Sequence, residues 1–266
     1  MKLALNGVYG DSNNKFSPFY DSQYTMTITI NGQLSLSMLA EKLIMNIPSV
    51  HIIQVNTDGV TVKLNRKDVD LYHKLCKEWE KETKLNLEFA EYEMMAIRDV
   101  NNYIALYTDR KVKLKGAYEY ADFDKLGWHK NHSCMVVAKA AVYELTGKGK
   151  AEDFINNHDD VFDFMLRTKV PRSSRLVMVM DDGTEIPQQN ICRYFPSFEG
   201  GNLIKIMPPL EKGGEDRRMG IDVGWKVMTC NDIKKFDWKL LNRNYFIEEA
   251  RKLIDPLKEG EKNVSI

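Results

Sequence analysis

The feature that most constrains the fold is a predicted β-hairpin at residues 51–64, which reads HIIQVNTDGVTVKL. Apolar residues occupy alternate positions in both halves of this stretch, which is the period of a half-buried strand. These alternating residues are Ile53, Val55, Val60, Val62 and Leu64. Asp58 and Gly59 separate the halves, and Asp-Gly is a strong turn signal because glycine accepts the positive φ that a tight hairpin needs. The hairpin therefore predicts an exposed Asp58 carboxylate on rigid strands, where a metal ligand is well placed.

An Asp-Gly turn alone is weak support for chemistry, because such turns are common in proteins that carry no active site there. The composition adds no general attraction to nucleic acid, since 38 basic side chains balance 38 acidic ones over 266 residues. Any binding of DNA would therefore depend on local basic patches. The functional interpretation of Asp58 depends on the motifs that accompany it.

The chain has the composition of a soluble protein of the reducing cytoplasm. Its four cysteines are far apart and form no Cys-x-x-Cys pair, which favours free thiols over a disulfide framework. They are Cys76, Cys134, Cys192 and Cys230. No apolar run is long enough to cross a membrane, and the N-terminus lacks a signal-peptide pattern. We therefore expect a cytoplasmic protein without a membrane partner.

Residues 2–10, KLALNGVYG, predict a short helix with a polar face. Lys2 and Asn6 are four residues apart, and Tyr9 or Gly10 continues the same face one turn later. Lysine offers a point charge to phosphate, asparagine an amide, and tyrosine a ring for a sugar or base edge. Gly10 is expected to end the helix. The alternative is an N-terminal helix with a solvated lysine and no ligand.

This segment resembles motif B, K-x3-N-S-x-Y-G, of the family B DNA polymerases, with Gly7 in place of the usual serine. The turn VNTDG resembles motif C, Y-x-D-T-D-S, and Asp58 falls on the second aspartate, which holds metal in that family. The other positions depart from the motif: Gln54, Asn56 and Gly59 replace the tyrosine, the first aspartate and the serine. The order of the two motifs, with a helix between them, resembles a divergent, bacteriophage-type member of the family.

The intervening and following segments predict an α+β fold. A broad apolar face predicts a helix over residues 25–45, interrupted at Asn31–Gln33 as in the family, after a loop at 11–24. A second helix is expected at 68–85, with Asp68 as its N-cap. Its apolar stripe indicates core packing: Val69, Tyr72, Leu75, Cys76 and Trp79. Three strands follow at 87–97, 102–107 and 111–115.

These strands occupy the place of two primer-contacting motifs of the family. Tyr103 matches the tyrosine of a K-x-Y motif, whereas Asn101 stands where the lysine would be and brings no charge. Lys113, Lys115 and Gly116 resemble the K-x-K-x-G sequence that closes the palm. The resemblance thus implies contacts with DNA at all five positions. The alternative for the two lysines is an exposed edge strand that they keep soluble.

Beyond residue 121 the pattern predicts mainly helices, at 131–145, 151–166 and 245–254. Arg167, Lys169, Arg172 and Arg175 lie in a window without acidic residues and form the strongest local basic patch, which could follow a DNA backbone. The alternative is a solvated loop in which basic residues cluster by chance. A short hairpin-like insertion is expected at 176–194, and a loop-rich segment at 198–214.

The resemblance implies an organisation and a reaction. Residues 1–10 would end the fingers, 11–120 would form an antiparallel palm, and 121–266 a mostly helical thumb. Family members add dNTPs to the primer strand of a primer–template by phosphoryl transfer with two Mg²⁺ ions about 3.5–4 Å apart. Asp58 would supply one ligand, and a separate N-terminal polymerase half would supply the second aspartate motif and the exonuclease. The alternatives are a non-catalytic primer–template-binding module, an inactive truncated fragment, and an unrelated α+β interaction domain.

Overall fold

The computed structural model describes residues 2–122, 124, 127, 130–211 and 213–261, and the side chains of these residues except 2–5 and 259–261. The chain is α+β with antiparallel sheets, which confirms the predicted α+β class. It divides into two compact units between Ala90 and Glu91. This boundary differs from the predicted ones after residues 10 and 120. No helix in the described part of the chain is both long and apolar enough to cross a membrane.

The first unit contains three helices and the hairpin. Its elements are α1 (Lys2–Ser12), α2 (Ser22–Asn46), β1 (His51–Val55), β2 (Val60–Lys63) and α3 (Val69–Thr83). The predicted stripe on α3 contributes its buried residues, Leu75, Cys76 and Trp79, to a core shared with α2. The Trp79 indole donates a hydrogen bond to the Ser35 carbonyl of α2, 2.8 Å away, which satisfies its polar edge inside the core.

Both helices before the hairpin differ from the prediction. α1 continues past Gly10 to Ser12, whose buried hydroxyl donates to the Tyr9 carbonyl at 2.6 Å. α2 begins at Ser22, because the Asp21 side chain accepts a hydrogen bond from the Tyr24 N–H and caps the helix. It then runs without a break through Asn31–Gln33, so the predicted interruption is wrong. A single helical glycine lowers helix propensity but does not remove the backbone hydrogen bonds.

The hairpin is present, and Val60 and Val62 of β2 pack on the core as predicted, but the buried face of β1 is not the predicted one. β1 and β2 pair antiparallel, and the register shifts between Ile52 and Gln54. Ile53 and Val55 are exposed, 44% and 40% respectively, whereas Gln54 is buried. The extra residue of such a bulge changes the side from which the following side chains project. An apolar–polar alternation read from the sequence therefore does not identify the buried face of β1.

The second unit begins with a three-stranded antiparallel sheet and continues with helices packed on a six-stranded sheet. The first sheet contains β3 (Tyr92–Asp99), β4 (Asn102–Tyr107) and β5 (Val112–Leu114). The second and third predicted strands match β4 and β5, whereas β3 begins at Tyr92 rather than at residue 87. The helices are α4 (Met135–Leu145), α5 (Ala151–Asn157), α6 (Val161–Phe164) and α7 (Arg243–Glu261). The second sheet contains β6 (Leu166–Lys169), β7 (Arg175–Val179), β8 (Glu185–Gln188), β9 (Ile191–Met207), β10 (Arg217–Ile221) and β11 (Val227–Thr229).

The prediction of a mostly helical segment at 121–266 is wrong, because six strands lie within it. Its central element is β9, a strand of 17 residues that pairs with β6 and β11 in its first half and with β7 and β10 in its second. Gly200 and Gly201 predict a loop from sequence. In the structure Gly200 has φ +97°, and a Cβ on Gly201 would lie 2.4 Å from the Val179 carbonyl. These two glycines therefore do not end the strand. They let the backbones of neighbouring strands approach closely.

Candidate active site and basic surfaces

Asp58 lies at the tip of the hairpin, in the turn that joins β1 to β2, and is exposed. The Asn56 N–H donates to the Gly59 carbonyl at 3.0 Å and closes the turn. The Asn56 side chain also accepts a hydrogen bond from the Asp58 N–H at 3.2 Å. Asn56 thus holds the backbone that presents the Asp58 carboxylate.

The turn does not depend on the conformational freedom of glycine. Gly59 is not among the residues with positive φ, so that reason for the predicted turn is wrong. A Cβ on Gly59 would lie 3.4 Å from Asn56 Oδ1, which is an ordinary contact. A side chain at position 59 is therefore compatible with the turn. The turn is instead stabilised by the Asn56 side chain, as in other turns closed by asparagine.

The residues that resemble motif B, as far as the structure describes them, form one exposed side of α1. Asn6 and Gly10 are exposed, and Tyr9 retains 39% of its surface. The Tyr9 hydroxyl lies 3.1 Å from the Thr29 hydroxyl of α2, which fixes the ring at the junction of the two helices. Lys2 is also predicted to bind the nucleotide, but its side chain is not among those that the structure describes. Within the first unit, α1 contacts α2, and α2 contacts both strands of the Asp58 hairpin.

The predicted primer contacts on the three-stranded sheet differ in accessibility. Tyr103 is buried, with 6% of its surface exposed, and the Lys113 ammonium lies 5.9 Å from the centre of its ring. Burial of Lys113 opposes its charge, but the surrounding Tyr92, Tyr103 and Tyr107 outweigh this and raise its pKa. Tyr103 and Lys113 therefore form a packed pair. Asn101 and Lys115 are exposed, and their contact with DNA stays a prediction.

The local structure explains why position 116 is glycine, independently of the motif resemblance. Its φ is +63°, and a Cβ there would lie 2.3 Å from both the Asn101 carbonyl and the Asn102 Oδ1. The Asn102 amide is fixed between two partners: it donates to Asp99 and accepts from the Ala117 N–H at 2.8 Å. Only glycine fits here without moving this network.

We expect Gly116→Ala to lower the free energy of unfolding by about 3 kcal/mol, since left-handed strain and backbone overlap both act. Gly147→Ala is the matched control. Gly147 also has positive φ, +76°, but nothing lies within 4 Å of its Cβ position. The control should cost only about 1 kcal/mol. Urea unfolding followed by tryptophan fluorescence measures both, and equal losses would show that the close approach at Gly116 has no energetic weight.

The predicted basic patch is divided between different environments. Arg167 and Lys169 lie on β6, Arg172 lies in the exposed loop after it, and Arg175 lies on β7. Arg175 is paired with Asp216, its Nη2 lying 3.1 Å from the carboxylate. One of the four predicted charges is thus compensated. Sequence inspection missed Arg193, which lies directly opposite Arg167 in the β6–β9 register, because strand pairing brings together residues distant in the chain.

A buried charged cluster in the second unit also escaped prediction. The Asp163 carboxylate is 2% exposed and lies 2.6 Å from Lys139 Nζ and 2.5 Å from His158 Nε2. Burial alone would raise the pKa of Asp163, but the hydrogen bonds from His158 and Lys139 outweigh burial and lower it. The His158 ring stacks on Phe154 with centroids 5.1 Å apart. These groups are held by packing, which indicates a role in stability.

The fit of the first unit to magnesium is partial. Mg²⁺ prefers carboxylate oxygens with several water and phosphate ligands, and the exposed Asp58 is such a carboxylate. Among the residues that the structure describes, no three or more His, Cys, Asp or Glu side chains come together in a way that would hold a metal ion. The binding of two Mg²⁺ ions therefore stays a prediction. No protein-family model matches this chain, and a search of curated proteins finds no match.

Proposed function

We propose that this chain is the C-terminal part of a family B DNA-directed DNA polymerase that works together with a separate N-terminal half. The proposal is supported by the packing of the first unit, which brings the two motif-like segments together. Its motif B helix, α1, packs on α2, and α2 packs on the hairpin that presents Asp58 at an exposed tip. The two motifs on which the resemblance depends thus belong to one compact unit.

Exposed apolar surface on the same unit supports a partner. One side of α2 faces the core through Leu36, Leu39 and Leu43. At 100° per residue, the opposite side carries a second apolar stripe, which a solvent-facing helix lacks. The exposed stripe residues are Met26, Ile30, Leu34, Met38 and Met45. A helix with two apolar sides is typical of one buried between layers, and we propose the N-terminal half as the second layer.

The hairpin supports the same partner. Among the described residues, β1 and β2 form a two-stranded sheet, and such a sheet is marginally stable alone. Ile53 and Val55 leave apolar surface open on it. Additional strands from the N-terminal half would cover this surface and bring a second carboxylate towards Asp58. In this arrangement the hairpin and α2 would belong to the palm, and the six-stranded sheet would belong to a region that departs from a helical thumb.

Different residues of this chain would have different roles in dNTP addition. Bound Mg²⁺ would supply charge neutralisation of the triphosphate and activation of the primer 3′-hydroxyl. Asp58 would hold such an ion from the hairpin tip, with Asn56 fixing the turn. Asn6, Tyr9 and Gly10 on α1, together with Lys2, would bind and orient the incoming dNTP. The exposed Asn101 and Lys115 would contact the primer strand.

Primer extension tests the proposal. The chain is produced alone and together with the product of an adjacent reading frame that carries a D-x-x-S-L-Y-P-type motif. We expect the pair, with Mg²⁺ and dNTPs, to extend a labelled primer, and neither polypeptide alone to do so. Extension by this chain alone that disappears in Asp58→Ala would contradict the division into halves. A pair that associates and binds primer–template without incorporating nucleotides would instead indicate the non-catalytic module.

A further inference from the structure

Two arginines of the second unit face each other across neighbouring strands. Arg167 of β6 and Arg193 of β9 are direct partners in the antiparallel register. Directly opposed residues of antiparallel strands project from the same face, about 4.5–5.5 Å apart at Cβ, and like charges at such positions are destabilising. An uncompensated pair of this kind needs an explanation.

Each arginine is held by neutral groups. The Arg193 guanidinium lies 4.5 Å from the centre of the Phe162 ring, and its Nη1 donates to the His132 carbonyl at 3.1 Å. Arg167 Nη1 donates to Asn131 Oδ1 at 3.3 Å. A guanidinium has five N–H donors, so each side chain keeps several donors for a ligand while its orientation is fixed.

Neither guanidinium has a carboxylate within ion-pair distance in the described ranges, whereas Arg175 and Arg218 of the same sheet are paired with Asp216 and Glu185. Burial lowers the pKa of Arg193, and the neighbouring Arg167 charge lowers it further. The positive charge at this position is therefore concentrated and partly desolvated. Lys169, two residues along β6, adds an exposed ammonium on the same side of the strand.

We propose that Arg167 and Arg193 form a binding site for a phosphate group. Two planar guanidinium forks match the oxygens of phosphate and bind it more specifically than isolated lysines do. The phosphate belongs either to a nucleic-acid backbone or to a small phosphate such as pyrophosphate. The site needs nothing from the proposed polymerase activity, and binding measurements on this chain alone test it.

The test compares two double variants that remove the same charge. R167Q/R193Q removes the two facing arginines, and R218Q/R251Q removes two arginines that form ion pairs with Glu185 and Glu152. Binding of a fluorescently labelled primer–template is measured by anisotropy over a range of salt concentrations. We expect R167Q/R193Q to weaken binding about tenfold or more, and R218Q/R251Q to stay within about twofold. The slope of log affinity against log salt should fall by about 0.9 for each phosphate that the variant no longer neutralises.

Inorganic pyrophosphate distinguishes the two sources of phosphate. Its binding is measured by calorimetry and by the shift in melting temperature of each protein. Loss of pyrophosphate binding in R167Q/R193Q with unchanged DNA affinity would assign the site to a small phosphate, and loss of DNA binding would assign it to a backbone. Wild-type affinity for both ligands in R167Q/R193Q, or equal losses in the two double variants, would overturn the proposal.

Two single variants keep the test valid if the double variant unfolds, because Arg193 also packs on Phe162. Arg167→Gln leaves that packing intact and should still weaken phosphate binding. Arg193→Lys retains the charge but loses the fork, and should give a smaller loss. If both single variants are folded, as measured by circular dichroism, and bind as the wild type does, the site does not exist.

Discussion

Asp58→Asn is expected to reduce nucleotide incorporation by at least about 10³-fold when the chain is combined with the proposed N-terminal half. Asp58→Asn preserves the side-chain size and the turn but removes the negative charge that would hold Mg²⁺. Loss of metal stabilisation of the transferring phosphoryl group is usually worth several kcal/mol, and each 1.36 kcal/mol is about tenfold in rate. Steady-state incorporation on a primer–template measures the effect.

Two controls distinguish the loss of the Asp58 metal ligand from a general loss of charge and from a change in the turn. Asp70→Asn removes the same charge from an exposed position of α3 in the same unit and should leave incorporation unchanged. Asn56→Asp should also be tolerated, because a carboxylate at position 56 can accept the Asp58 N–H as the amide does at 3.2 Å. DNA affinity should change little in all three variants. Near wild-type turnover in Asp58→Asn together with loss of activity in Asn56→Ala would show that the catalytic carboxylate has been placed wrongly.

The second large effect concerns stability. Asp163→Asn should lower the free energy of unfolding by about 3 kcal/mol, because removing one member of a buried charge cluster leaves its partners uncompensated. The partners are the Lys139 ammonium, 2.6 Å away, and His158. Asp153→Asn, an exposed position on the neighbouring α5, removes the same charge and should change stability by less than about 0.5 kcal/mol.

The effect of Asp163 should depend on pH in a defined direction. Its pKa is lowered in the folded protein, so the carboxylate binds its proton less readily there than in the unfolded chain. The contribution of Asp163 is therefore fully present above the unfolded value of about 3.9 and decreases as pH falls through the lower, folded value. Urea unfolding at several pH values should show wild type and Asp163→Asn converging below about pH 4. A constant difference down to pH 3 would contradict the ionised cluster.

Local patterns were sufficient where neighbours in the chain supply the deciding contacts. The 3.6-residue period of apolar residues predicted α3, α4 and α7, and the alternation between turns predicted β4 to the residue. The hairpin was also predicted, because its two strands are adjacent and Val60 and Val62 pack on the core of the first unit. The exposed position of Asp58 follows from the turn alone.

Patterns failed where backbone geometry or distant pairing decides the structure. A one-residue bulge exposes Ile53 and Val55, although their spacing predicts burial. Gly200 and Gly201 lie inside β9, because the neighbouring strands are too close there for a side chain to fit. That strand replaces the predicted short hairpin segment and loop, and its partners from earlier and later segments build a sheet in a region expected to be mostly helical.

The sequence by itself determined the α+β class, the hairpin that carries Asp58, and the helix that carries Asn6 and Tyr9, since these depend on local periodicity and turn chemistry. Only the tertiary structure decided which side chains meet. It buried Tyr103, compensated Arg175 with Asp216, placed Arg193 opposite Arg167, and enclosed Asp163 between Lys139 and His158. The physical reason is that charge compensation and burial depend on contacts between residues far apart in the chain, which no local pattern records.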